Sequence, residues 1–118
     1  MVDWKDIAAQ TPIPGFTGRV MHSDSMTFAL WRIDADAVLP EHQHVHEQVV
    51  HVLNGTFELT VDGRTETLSR GQVGVIPSNA RHSGRALADC VILDAFSPVR
   101  EDYRNGLTSA VIGGAAKG

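Results

Sequence analysis

The chain has 118 residues, 42% apolar and 20% charged, with a formal net charge of −4, which suits one domain with its own core and is too short for two. No run of Lys or Arg occurs, so a nucleic-acid scaffold is excluded, although a single cavity can still be locally positive. The lone Cys90 rules out an internal disulfide framework, and with no apolar leader or membrane-length apolar run the expectation is a soluble cytoplasmic protein that binds no membrane.

Residues 3–9 predict one short helical turn with Asp3 as its N-cap, inside an N-terminal arm of residues 1–17. Pro12, Pro14 and Gly15 are expected to stop any regular element there. From Gly18 onward the apolar pattern has period two. Residues 26–33 predict a strand with Phe28, Leu30 and Arg32 on one face and Thr27, Ala29, Trp31 and Ile33 on the other. Residues 40–53 predict another, closed by Asn54-Gly55, which reads as a two-residue hairpin turn. Strands at 56–61, 64–68, 72–76, 82–87 and 90–96 follow, separated by Asp62-Gly63, Ser69-Arg70-Gly71 and Pro77-Ser78-Asn79. This succession, with no amphipathic helix between strands, predicts an all-β antiparallel sandwich or barrel over residues 18–104. Residues 105–118, ending VIGGAAKG, are expected to be mobile or ordered only against a partner.

The chemistry concentrates in residues 40–55, PEHQHVHEQVVHVLNG, which hold four of the six histidines. On an extended strand His42 and His44 project the same way, Gln48, Val50 and Val52 continue that face, and Val49, His51 and Leu53 take the other. Two imidazoles so placed supply half of a metal site, and other residues must complete it. Any one histidine here reads equally as a solvated or core residue: His46 is expected at a bend, His51 on the outer face, His22 in a loop. Glu47 has the wrong parity for a ligand. A second cluster begins at Asp94, which interrupts the apolar run CVILDAF. A buried carboxylate costs several kcal/mol unless it is paired or lines a cavity. Asp94 and Phe96 share a strand face, and Arg100 follows a Pro-containing bend. The bland reading of the three is an exposed acid, a core ring and a surface ion pair.

In order and spacing these residues resemble the two motifs of the cupin superfamily. The first is matched by His42-x-His44, three residues, Gln48, six residues and Gly55. The second is matched by Gly71, five residues, Pro77-x-Asn79, two residues and His82. Asp36 stands where the first motif opens with Gly, Gln48 where it has Glu, and Asn79 where the second has Gly. Asn tolerates the left-handed backbone that such a turn needs. The resemblance implies a double-stranded β-helix, a jelly-roll-like barrel, with one divalent metal held by His42, His44, Gln48 and His82. The two motifs lie on strands distant in sequence, so only barrel closure can bring His82 opposite the first pair. Zinc, nickel, iron, manganese or cobalt would suit three imidazoles and an amide oxygen. With the neutral Gln48 the metal keeps both positive charges, where a Glu would cancel one. That favours binding an anion or polarising an oxygen over redox cycling.

HxHxHEQ at residues 42–48 and DAFSPVREDY at residues 94–103 also resemble the KdgF family of pectin-degradation cupins. That resemblance implies a small anionic sugar substrate, with Asp94 and Arg100 catalytic and Phe96 and Arg100 binding the sugar. Members of the family open 4,5-unsaturated monouronates, released by pectin or alginate lyases, to 4-deoxy-5-keto uronates. The competing readings are another metal-dependent cupin enzyme, a dioxygenase or a sugar or acid isomerase, and a non-catalytic small-molecule binder. A homodimer is expected, formed by burying the outward Val49, His51 and Leu53.

Overall fold

In the computed structural model, which describes residues 1–112, alternating apolar residues build ten short strands: β1 (Gln10–Ile13), β2 (Phe16–His22), β3 (Thr27–Ile33), β4 (Val38–His42), β5 (Glu47–Asn54), β6 (Thr56–Val61), β7 (Arg64–Ser69), β8 (Val73–Ile76), β9 (His82–Ala86) and β10 (Cys90–Ser97). They form two antiparallel sheets, one in the order β1-β2-β3-β10-β5-β8 and one in the order β4-β9-β6-β7. A short 3-10 turn, Trp4–Asp6, precedes them, and Asp3 caps it by accepting from the Lys5 N–H at 2.9 Å. Among the described residues no helix is long and apolar enough to cross a membrane.

The core lies between the sheets. Ala29, Trp31 and Ile33 of β3, Val50 and Val52 of β5 and Ile92 and Phe96 of β10 face Phe57 and Leu59 of β6, Leu68 of β7 and Ala86 of β9. Each such aliphatic or aromatic side chain stabilises the fold by roughly 1.5–3 kcal/mol when fully buried. The period-two pattern therefore carries the architecture, a double-stranded β-helix.

Four local expectations differ from what the chain does. Pro12 lies inside β1, and it is tolerated because β1 is an edge strand. The predicted continuous strand over 40–53 is broken: β4 ends at His42, β5 begins at Glu47, and the two belong to different sheets. Asn54-Gly55 is not a hairpin turn, since β5 pairs with β10 and β8 while β6 pairs with β7 and β9. It carries the chain from one sheet to the other. Gly55 has φ +87°, and a Cβ there would collide with the Asp89 carbonyl. By contrast Asp62-Gly63, with φ of 49° and 82°, is a true two-residue turn joining Val61 to its partner Arg64.

The fourth difference is at the end of the chain. A 3-10 turn, Glu101–Asn105, follows β10, and the Leu107 N–H then donates to Gln10 Oε1 at 2.9 Å. Leu107 and Ile112 are both buried. The stretch from residue 105, expected to be mobile or ordered only against a partner, is packed on the barrel at Leu107 and Ile112, and its remainder lies outside the described residues.

Candidate metal centre and adjoining cavity

His42 ends β4 and His82 opens β9, and the register of that strand pair sets them directly opposite each other. His44 enters from the bend between β4 and β5, and Gln48 from β5 in the other sheet. The ligand atoms of the three histidines lie within 4.8 Å of one another. Their ring centroids are 4.2 Å apart for His42 and His82, 4.9 Å for His44 and His82, and 5.8 Å for His42 and His44. The imidazoles thus converge although they do not share one strand.

Their orientation is set by the main chain. His42 Nδ1 lies 2.8 Å from the Pro40 carbonyl, His44 Nδ1 3.0 Å from that of His46, and His82 Nδ1 2.9 Å from that of Ala80. A carbonyl only accepts, so each Nδ1 is the protonated nitrogen and each Nε2 carries the lone pair. His82 Nε2 is buried without a hydrogen-bond partner. His44 Nε2 lies 3.1 Å from Gln48 Oε1, two acceptors face to face. Gln48 donates its amide to Asp94, which holds Oε1 toward the imidazoles. Lone pairs gathered in this way repel unless a cation sits among them, so the donor set fits a divalent metal. Burial, then Arg100 and the neighbouring imidazoles, pushes His44 down to about 3, and burial lowers His82. Both stay neutral at ordinary pH, as ligands must.

Asp94, Phe96 and Arg100 line the same cavity as the imidazoles and Gln48. Asp94 is only 8% exposed, and one oxygen, Oδ1, is buried without a partner. Gln48 and Trp31 donate to its carboxyl, yet burial outweighs them and pushes it up to about 7. Arg100 is 2% exposed, so the surface ion pair of the bland reading does not occur. Its Nε and Nη2 grip Asp102 at 3.0 and 2.8 Å, and Nη2 also donates to the Val111 carbonyl at 2.9 Å. The guanidinium carbon lies 4.8 Å from the Phe96 ring centre and 4.0 Å from that of Tyr103. The Thr27 hydroxyl accepts from the Arg100 N–H at 2.9 Å and also shares a hydrogen bond with His22 Nδ1 at 2.7 Å. His22 ends β2 rather than lying in a loop, His51 faces outward on β5, and His46 sits at the bend.

Trp31, Tyr103 and Ile112 also line this cavity; Tyr103 closes the DAFSPVREDY run without a role assigned to it there, and the other two do not stand out in the sequence. Trp31 is one inward residue of an alternating strand, and only its partner Asp94 distinguishes it. The three carbonyls that fix the imidazole tautomers carry no side-chain signal at all.

A two-sheet antiparallel barrel with imidazoles converging in its interior defines a class of small barrels with an interior site able to hold a metal ion. The family profile described as the cupin domain matches residues 29–96, and the chain belongs to that family. Among curated proteins it is 29% identical to the pectin degradation protein KdgF of Dickeya dadantii, over 69% of this chain and 76% of that one. Among solved structures it is similar to KdgF from Halomonas, at 32% identity and TM-score 0.78, covering 83% of this chain and 92% of that one. A RmlC-like cupin from Shewanella frigidimarina shares the fold, at 24% identity and TM-score 0.82, covering 87% of this chain and 94% of that one.

Proposed function

We propose that this cupin is a metal-dependent enzyme of pectin or alginate breakdown that opens 4,5-unsaturated monouronates to 4-deoxy-5-keto uronates. The observation that carries the reading is one cavity in which a buried, proton-holding carboxyl (Asp94) and a buried guanidinium (Arg100) adjoin the three-imidazole cluster. The relatives named for pectin degradation narrow that chemistry to an acidic sugar.

His42, His44, Gln48 and His82 would hold the metal, which when bound supplies a Lewis acid for a ring or hydroxyl oxygen. Arg100, already gripped by Asp102 through Nε and Nη2, would pair with the uronate carboxylate through the second Nη2 hydrogen, which the Val111 carbonyl now accepts. Phe96 lies against the sugar ring and fixes its plane. The hemiacetal C1–O bond breaks as the O1 proton leaves and the ring oxygen gains one, giving an aldehyde and an enol. Asp94 then delivers its proton to C4 while the enol O–H gives one up, so the double bond becomes the C5 ketone and the net change is an isomerisation. The unpartnered Oδ1 of Asp94 is available for that exchange.

The test is to load the purified protein with each of zinc, nickel, iron, manganese and cobalt and add lyase-derived unsaturated monouronates. The ultraviolet absorbance of the conjugated acid should disappear with at least one metal and persist after chelation. Persistence with every metal refutes the assignment, and binding without turnover would favour a non-catalytic cupin.

We also propose that the chain works as a homodimer. On the outer face of the six-stranded sheet Val49 lies beside Val75 and Ala95, and His51 beside Val73 and Leu93. Val73 and Val75 are 51% and 57% exposed, an apolar stripe that a second copy would cover. A monomeric mass at micromolar concentration would contradict this.

A further inference from the structure

We propose that residues 107–112 form a strap that holds the cavity shut, and that a ligand opens it by displacing the Val111 carbonyl from Arg100 with its own acid group. The inference rests on reading the cavity as a site for an acidic sugar. The Val111 oxygen lies 2.9 Å from Arg100 Nη2, where one oxygen of a bound carboxylate would sit. Ile112, next in the chain, is only 4% exposed and lines the same cavity as His44, Asp94 and Phe96. The strap therefore places a carbonyl on the cation and an apolar side chain inside the cavity.

The cavity is tight as the strap now lies. Its volume is about 40 Å³, room for an ion and a few waters. Sites that enclose small organic ligands run to roughly 300–1,000 Å³. Of the elements around it, β5 and β10 are each paired on both sides within the six-stranded sheet and β9 on both sides within the other. The strap belongs to neither sheet. Its described ties are the Leu107 bond to Gln10, the Val111 bond to Arg100, the burial of Leu107 and Ile112 and the packing of Val111 on the core. Segments fastened so lightly are the first to open. A carboxylate makes a charge-assisted pair with a guanidinium, stronger than the neutral carbonyl it replaces. A neutral sugar has no group able to make that exchange, so the strap selects for acids.

The experiment uses the metal-loaded full chain with D-galacturonate, which has no double bond to isomerise, and with D-galactose as its neutral counterpart. Hydrogen exchange at the amides of residues 107–112 should speed up with galacturonate and stay unchanged with galactose. Calorimetry should show Ile112→Ala binding galacturonate roughly tenfold more tightly than wild type, because apparent affinity rises with the open fraction. Binding by wild type with unchanged or slower exchange in the strap, or weaker binding by Ile112→Ala, would make the segment a fixed wall and overturn the proposal while leaving the acid-sugar site intact. No binding of galacturonate by either protein would overturn the acid-sugar reading and the strap together. The wild-type exchange measurement stands even if the variant folds poorly.

Discussion

Replacing Asp94 by Asn should make the metal-stripped protein more stable at alkaline pH and the loaded protein much slower. Burial lifts the carboxyl from 3.8 to about 7, against the opposing hydrogen bonds from Gln48 and Trp31 and the attraction of Arg100. At about 1.4 kcal/mol per pKa unit, holding the ionised form in the fold costs on the order of 4 kcal/mol. The folded state keeps this proton across a window from 3.8 to about 7 in which the unfolded chain releases it. Wild-type stability must therefore fall as pH rises through that window, and level off on either side. Asn has no proton to release, so its stability lacks that slope. The buried amide brings two N–H donors of its own, and leaving them unpaired costs about 1–3 kcal/mol. The variant should be level with or behind wild type at about pH 4 and ahead by about 1–3 kcal/mol at about pH 8. Urea unfolding of chelator-treated protein at steps across that range measures the difference directly. Parallel stability curves would refute the reasoning, because they would mean that the folded protein does not raise the affinity of Asp94 for its proton. In the loaded enzyme the same substitution should leave metal content unchanged and lower turnover by roughly 10²–10⁴-fold.

Three further outcomes are expected. His82→Ala removes the ligand that β9 contributes, and metal affinity should fall by more than the roughly 10–100-fold that loss of an outer-shell partner costs, as read by metal analysis after dialysis. Gln48→Glu should keep or tighten metal binding but lower kcat/KM on an unsaturated uronate at least about tenfold, since it cancels positive charge and sets a carboxylate against Asp94; kinetics matched to metal titration would show the split. Gly84→Ala drives a methyl into the Phe57 ring, which is buried at 3% exposure, and should cost about 1–3 kcal/mol in urea unfolding without changing metal content.

The sequence by itself determined what its local physics controls. Alternation in residues 27–33 and 90–96 gave the inward and outward faces of β3 and β10, and Asp62-Gly63 gave a turn with both residues at positive φ. Asn79, standing where the motif has Gly, has φ 64°, and Asp36, at the other Gly position, has φ 71°, so both take up the left-handed backbone that short polar side chains tolerate. The residues alone gave only half a site, His42 and His44 on one strand face; it was the resemblance to the cupin motifs that pointed to His82, which the fold does bring to them.

The tertiary structure decided which sheet each strand joins. Asn54-Gly55 and Asp62-Gly63 look alike in one dimension, yet one crosses between sheets and the other closes a hairpin, because pairing is set by partners distant in the chain. The break between β4 and β5 was hidden because inward-pointing ligands keep the alternation through the bend. Arg100 read equally well as a surface ion pair, and only the approach of Phe96, Tyr103 and residues 107–112 buries it. Period and turn propensity act over a few residues, whereas which side chains share a cavity depends on the closure of the whole barrel.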